Sequence, residues 1–254
     1  MNNVAIIIPV RLASTRLPNK PLAIICGKSM IQRVYEKAIE TNIKNIFIAC
    51  DGKEIADEVQ KFGGEYIITD PNLPSGTDRI YQAYSKLKEK GRDFEYIVNL
   101  QGDLPNIDPE AIKSAINTII YNNCDIATLA SKIKNQKEII DPNVVKIAIA
   151  FKEQNLGQAL YFSRSAIPFC KKEPEYYHHI GIYAYKKQAL EQFVKSTPSK
   201  LEQQESLEQL RALENNLKIY VSIVDSNPLS VDTKEDLQDI IKIIKPKSVN
   251  RKLI

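Results

Sequence analysis

VAIII, residues 4–8, runs without a break into PVRLASTRLPNKPL, residues 9–22. A short, continuous, β-branched apolar run is the pattern of a strand buried on both faces, so the chain opens with a strand at the centre of a sheet. The loop that follows holds Arg11, Ser14, Thr15, Arg16 and Lys20, with Pro18 and Pro21 and no glycine before Gly27. Fixed cations at the carboxyl end of a strand can neutralise a polyphosphate, and the prolines reduce the entropy lost when ligand binds. The alternative is a solvated basic loop. Neither GxxxxGK[ST] nor GxGxxG is present, which argues against a P-loop kinase and a classical dinucleotide binder.

Working outward, strand-like and helical patterns alternate. Ser29 can cap a helix carrying Ile31, Val34, Tyr35, Ala38 and Ile39, and NIFIAC (45–50) reads as the next strand. A helix with Ile55 and Val59, the strand EYIIT (65–69), a helix from Asp78 to Lys88 and the strand EYIVNL (95–100) follow. This alternation implies a mainly parallel sheet with helices on both faces. Beyond it, DIATLAS (125–131), NVVKIAIAF (143–151) and HIGIYAY (179–185) are strand-like with irregular polar sequence between them, so the sheet is expected to become mixed. A helix from Leu201 to Glu214, the strand IYVSIV (219–224) and a last helix from Thr233 to Ile244 complete the pattern. With no linker, repeat or low-complexity segment, one α/β domain over 1–254 with an elaborated middle is the simplest account.

The composition fits: 254 residues, 43% hydrophobic and 26% charged, are enough for a core stable without staples. A formal charge of +4 is too small to predict nucleic-acid binding by itself, and most of the lysines are scattered along helical faces or gathered in the tail IKIIKPKSVNRKLI. Cys26, Cys50, Cys124 and Cys170 lie far apart in neither a CxxC nor a Cys/His spacing, as free thiols in a reducing cytoplasm would. No apolar run approaches the roughly 20 residues that span a bilayer, and no signal-peptide pattern precedes the first strand. A cytoplasmic protein without a membrane partner is expected.

In such sheets ligands bind outside the carboxyl ends of the strands, which directs attention to loops 10–21, 70–79, 101–106 and 225–233. NLQGDLP (99–105) sets Asp103 just past an apolar strand, placed either to hold a hard cation such as Mg²⁺ or simply to form a turn. PLSVDTKEDL (228–237) offers Asp232, a second carboxylate for such an ion, with helix capping by Asp232 or Thr233 as the rival role. PSGTDRI (74–80) begins a helix whose small polar groups and freed amides can read a base or ribose, or merely cap. Arg164, His178, His179 and Tyr183 fall on strand-like sequence, where the adjacent histidines alternate faces and a structural role competes. Glu208 and Gln209 sit on a helix, where the competing role is a solvated pair.

Taken in order, RLASTRLPNKPL, SGTDR, NLQGDLP, YFSR, HIGIY, LEQLR and VDTKEDL resemble the 3-deoxy-manno-octulosonate cytidylyltransferases from the first strand to the last helix. The resemblance implies a Rossmann-like α/β nucleotidyltransferase that transfers CMP from CTP to Kdo, releases pyrophosphate and supplies lipopolysaccharide synthesis. It implies Mg²⁺ on Asp103 and Asp232, phosphates on Arg11 and Lys20, and cytidine on the backbone of 9–11 with Ser75, Arg79 and Gln101. It implies a sugar site of Arg16, Arg164, His179, Tyr183, Glu208 and Gln209, and a homodimer built through residues 126–216. Competing readings are a cytidylyltransferase for another keto sugar acid, and a nucleotide- or RNA-binding protein without catalysis. The chain departs from the family pattern at Val10 in place of alanine, Leu104 in place of the glutamate of QGDEP, and His178 in place of arginine.

Overall fold

The computed structural model describes residues 3–170 and 175–245. The basic tail beyond residue 245 lies outside the described residues.

The opening run forms β1 (Val4–Pro9), every residue of it buried. After the cationic loop come the short hairpin strands β2 (Ile24–Ile25) and β3 (Lys28–Ser29) and the helix α1 (Met30–Ile39), whose N-cap is Ser29, its Oγ accepting from the Gln32 amide. The alternation continues through β4 (Ile46–Cys50), α2 (Lys53–Lys61), β5 (Glu65–Ile68), α3 (Gly76–Glu89), β6 (Tyr96–Asn99), α4 (Pro109–Tyr121) and β7 (Ile126–Lys132). A short α5 (Gln136–Ile140), the strands β8 (Lys146–Glu153), β9 (Leu156–Ser163) and β10 (Tyr177–Lys186), and the helices α6 (Lys187–Lys195), α7 (Lys200–Glu205) and α8 (Gln209–Glu214) make up the middle. β11 (Ile219–Ile223) and α9 (Lys234–Ile244) are the last elements of the described residues.

Among the described residues nine strands form one sheet in the order β5-β4-β1-β6-β10-β7-β11-β9-β8. β5, β4, β1 and β6 are parallel, β10 enters antiparallel between β6 and β7, and β11 is parallel to β7. Two reversals of direction through β10 leave β7 and β11 pointing the same way as β1, so the loops after β1, β6 and β11 emerge on one edge. The chain leaves β1 toward β4 and β5 and returns to its other side at β6, which makes the gap between these strands the switch point where α/β sheets bind ligands.

Side chains alternate along the strands into two layers. One holds Ile6, Ile8, Val98 and Ile182 against α1, α2 and α4; the other holds Ile7, Ile97, Tyr183 and Tyr185 against α3, α6 and α8. A third cluster joins Leu17 of the cationic loop to Ile25, Met30, Val231 and Ile240, so that loop is anchored beside the residue preceding Asp232.

Three expectations are corrected. The helix expected over 201–214 is two, because Ser206 takes the left-handed conformation at φ 53° and ends α7. The stretch after 100 is not only a turn: α4 begins at Pro109, capped by Asp108, and buries Ala111, Ile112, Ala115, Ile116 and Ile119. Arg164 lies one residue past β9 rather than on a strand.

Candidate functional site

All four strand-end loops contribute to one cavity of about 370 Å³. Arg11, Arg16 and Lys20 line it from the loop after β1, Ser75 and Arg79 from the start of α3, Gln101 and Asp103 from the loop after β6, and Asp232 from the segment after β11.

The loop after β1 is held from several sides. The Leu12 amide donates to Asp51 Oδ1 at 3.1 Å, and the Leu17 amide to Ser14 Oγ at 3.4 Å. Asn19, left-handed at φ 54°, then opens a single 3-10 turn, Lys20–Leu22, with Pro21 inside it. This order is achieved by side-chain anchors and proline, where a glycine loop would use conformational freedom.

The two aspartates are held in register by backbone. The Val231 amide donates to the Asp103 carbonyl at 3.0 Å, bringing the loop after β6 and the segment after β11 together. Capping of α9 belongs to Thr233, whose Oγ1 accepts from the Asp236 amide, while Asp236 Oδ2 accepts from the amides of Asp232 and Thr233. The Asp232 carboxylate is thereby left for the cavity. Lys20 Nζ lies between the two carboxylates, 2.8 Å from Asp103 Oδ2 and 3.0 Å from Asp232 Oδ1, and Arg16 Nη2 meets the other Asp232 oxygen at 3.1 Å. Burial alone would lower the Lys20 pKa, but the charge and hydrogen bonds of both aspartates outweigh it and raise the pKa above the ordinary lysine value.

Two carboxylates sharing one cation are a suitable start for a divalent-ion site. Among the described residues no group of three or more His, Cys, Asp or Glu could hold a metal. An ion here would therefore have two protein carboxylates and take its remaining oxygens from substrate and water, which is the habit of Mg²⁺ at nucleotide sites.

At the start of α3, Ser75 is the N-cap: its Oγ accepts from the Asp78 amide and donates to Asp78 Oδ2 at 2.7 Å. Arg79 is buried and donates to Thr69 Oγ1. Burial pulls its pKa down, against the opposing charge of Asp51. Gln101 Nε2 donates to Asn99 Oδ1 at 2.9 Å.

The other residues singled out in the sequence stand outside this cavity. Arg164 spends its guanidinium on the carbonyls of Glu205, Pro142 and Ser206. His179 is buried, with Nε2 3.0 Å from Thr128 Oγ1 and its ring 5.5 Å from that of Tyr183. Glu208 accepts from Thr77 Oγ1, which ties α8 to α3, and burial raises its pKa. Gln209 is buried beside it. A second cavity, of about 220 Å³, adjoins the first through Gln101 and Asp103 and is lined by His178, His179 and Asn227 among others. Leu104 and His178, two of the three departures from the family pattern, share its wall, and the buried Nδ1 of His178 has no partner among the described residues.

Sequence reasoning missed Asp51 and Asp236. Asp51 directly follows an apolar strand, the same signal that picked out Asp103, and Asp236 completes a Thr-x-x-Asp capping pattern.

Comparison with known proteins agrees with this geometry. The Cytidylyltransferase family matches residues 5–219. A 3-deoxy-manno-octulosonate cytidylyltransferase of Parvibaculum lavamentivorans is 48% identical over 233 residues, 92% of this chain and 89% of its own. One from Paramagnetospirillum magneticum is 44% identical over 241 residues, 94% of this chain and 97% of its own. The solved structure of a CMP:2-keto-3-deoxy-manno-octonic acid synthetase complexed with CTP superposes with a TM-score of 0.87 at 35% identity, over 94% of this chain and 97% of that one. A cytidylyltransferase from Leptospira borgpetersenii, TM-score 0.59 at 16% identity over 96% of this chain and 94% of that one, shares the fold.

Proposed function

The chain belongs to the 3-deoxy-manno-octulosonate cytidylyltransferases and transfers CMP from CTP to Kdo with release of pyrophosphate, and from that premise we propose how its residues divide the work. The observation that carries the proposal is the meeting of Arg11, Arg16 and Lys20 with Asp103 and Asp232 in one cavity.

A sugar hydroxyl attacking the α-phosphate in line displaces a leaving group of several negative charges, so catalysis depends on neutralising that charge and fixing the geometry. Arg11 and Lys20 hold the phosphates. The stiff loop that carries them keeps the cations in place before substrate arrives, so little reorganisation is needed during reaction. Ser75 and the free amides at the start of α3, with Gln101 and Arg79, hold the nucleoside. Asp103 and Asp232 hold Mg²⁺, which supplies Lewis-acid polarisation of phosphate oxygens when bound. Arg16, beside Asp232 and mostly exposed, is free to swing to the carboxylate of the incoming keto acid, for which a guanidinium fork is suited.

We also infer a homodimer. Ile140, Phe151, Leu160 and Phe169, exposed by 81, 46, 58 and 86%, lie in the middle segment, around the edge strand β8 and its partner β9. An exposed edge with large apolar side chains favours cover by another chain. Sedimentation equilibrium tests this: a monomer at micromolar concentration rules it out. Four free cysteines suit a reducing compartment, and we place the enzyme in the cytoplasm, feeding lipopolysaccharide synthesis.

The test of the functional reading is pyrophosphate release, with the product's mass determined. CTP, a divalent metal and Kdo together should give pyrophosphate and CMP-Kdo, and omission of any one should give neither. Equal turnover with sialic acid, or none with Kdo, contradicts the assignment.

A further inference from the structure

We propose that Lys20, supported by Arg16, is a removable plug in the divalent-cation position: without nucleotide its ammonium occupies the place between Asp103 and Asp232, so the metal enters only as nucleotide draws the lysine away. This rests on the reading above in which the two aspartates hold the ion.

Among the described residues neither aspartate side chain caps a helix or takes a backbone amide. Thr233 caps α9 and Asp236 satisfies the amides of Asp232 and Thr233, so the Asp232 carboxylate is not a cap. The Asp103 carbonyl takes the Val231 amide, while its carboxylate takes Lys20. Each aspartate gives one oxygen to the same nitrogen, at 2.8 and 3.0 Å, and Arg16 takes the second oxygen of Asp232. Lys20 and Arg16 thus engage three of the four carboxylate oxygens, and a divalent ion bridging both aspartates at the roughly 2.0–2.1 Å of Mg²⁺–oxygen contacts would take the space that the ammonium fills. An ammonium hydrogen-bonded to both cannot stay between them.

At rest the two carboxylates are balanced by two cations. A free divalent ion approaching this cluster meets the ammonium in its position and a guanidinium beside it, and it must displace charge-assisted hydrogen bonds. A triphosphate changes the balance, because its oxygens give the ammonium an alternative partner on the same side of the cavity. The exchange asks little of the loop. Leu17 stays buried in its cluster and the 3-10 turn after Asn19 stays formed, while the four-carbon stem of Lys20 rotates. Metal and nucleotide then bind as one unit, and the unliganded enzyme discriminates against free metal.

Mn²⁺ binding to nucleotide-free protein, followed by the electron paramagnetic resonance signal of the free ion, reads this without catalysis. Wild-type protein should bind Mn²⁺ weakly, and Lys20→Met should bind it at least about tenfold more tightly, the factor that the loss of competing charged hydrogen bonds supports. Lys20→Gln serves as a second neutral variant if Lys20→Met melts early. Arg11→Met is the control for a mere change of field: Arg11 lines the cavity and pairs with neither aspartate among the described residues, so its affinity should stay within about twofold of wild type. Unchanged affinity in both Lys20 variants, or equal tightening in Arg11→Met, overturns the plug. The Lys20→Met Asp103→Asn double variant separates the two readings: if it keeps the gained affinity, the ion sits elsewhere and the two-aspartate site itself is wrong.

Discussion

Gly102 lies so close to Val10 that a Cβ on the glycine would stand 2.4 Å from Val10 Cγ1, with the Pro9 carbonyl oxygen 3.1 Å away. This contact brings the loop after β6 against the end of β1 and sets Gln101 and Asp103 opposite the cationic loop. Gly102→Ala should therefore push the two loops apart, costing about 1–3 kcal/mol in packing strain and lowering turnover at least about tenfold. Val10→Ala in the same chain removes the nearest atom and should restore part of the rate, while the backbone contact keeps the rest lost. A double variant no faster than Gly102→Ala would show that this contact does not set the site.

The roles of Asp232 and Thr233 separate by substitution. Asp232→Asn should lower turnover by about a hundredfold or more and leave thermal stability nearly unchanged, since a charged ligand is lost and no cap is. Thr233→Ala should do the reverse, costing about 1 kcal/mol of stability with turnover within a few-fold. Melting curves and steady-state rates on the same preparations decide it. Near-normal turnover in Asp232→Asn would remove the metal role.

The parallel half of the sheet was legible because β1, β4 and most of β6 are buried on both faces, while β5 at the sheet edge, with Glu65 and Ile68 exposed, was carried by its short apolar core. VAIII, NIFIAC, EYIIT and EYIVNL each hold a run of three to five apolar residues, and each strand appears within a residue or two of its reading. The strand-end loops followed from that, and four of them meet in the cavity. The helix α4 has no counterpart in the sequence reading, although Ala111, Ile112, Ala115, Ile116 and Ile119 carry helical spacing and Asp108 followed by Pro109 is a helix-start pattern. The insertion of β10 between β6 and β7 depends on pairing across more than eighty residues, and no local period reports such a partner. For the same reason, burial of His179, Tyr183 and Gln209 within the packing, and the engagement of Arg164 by backbone carbonyls, could not be read from residue type.

Arg164 offers a direct contrast between scaffold and substrate contact. Its guanidinium donates to three carbonyls from two segments, so Arg164→Lys should lower the melting temperature by several degrees through lost hydrogen bonds. A raised KM for Kdo with an unchanged melting temperature would instead assign it to the sugar.

His179 gives the protein a pH signature. Burial, with a smaller effect from His178, lowers its pKa from 6.5 to about 3. Between these values the unfolded chain binds a proton that the native state refuses, so the associated stability is complete above pH 6.5 and is lost as pH falls toward 3. His179→Gln retains a partner for Thr128 and cannot titrate, so its melting temperature should fall less steeply than that of wild type between pH 6.5 and about pH 4. Parallel curves for the two proteins would contradict burial of a neutral imidazole.

The central claim is that a stiff cationic loop holds the polyphosphate, and paired saturation curves for variants of that loop test it most directly. With CTP and Kdo varied separately, Lys20→Ala should lower kcat and kcat/KM for CTP by about a hundredfold, and Lys20→Arg should recover part of this by returning the charge. Arg16→Ala should mainly raise the KM for Kdo and leave that for CTP nearly unchanged. Wild-type kinetics in Lys20→Ala at every CTP concentration would contradict the claim, because the cation nearest both aspartates would then take no part in the reaction.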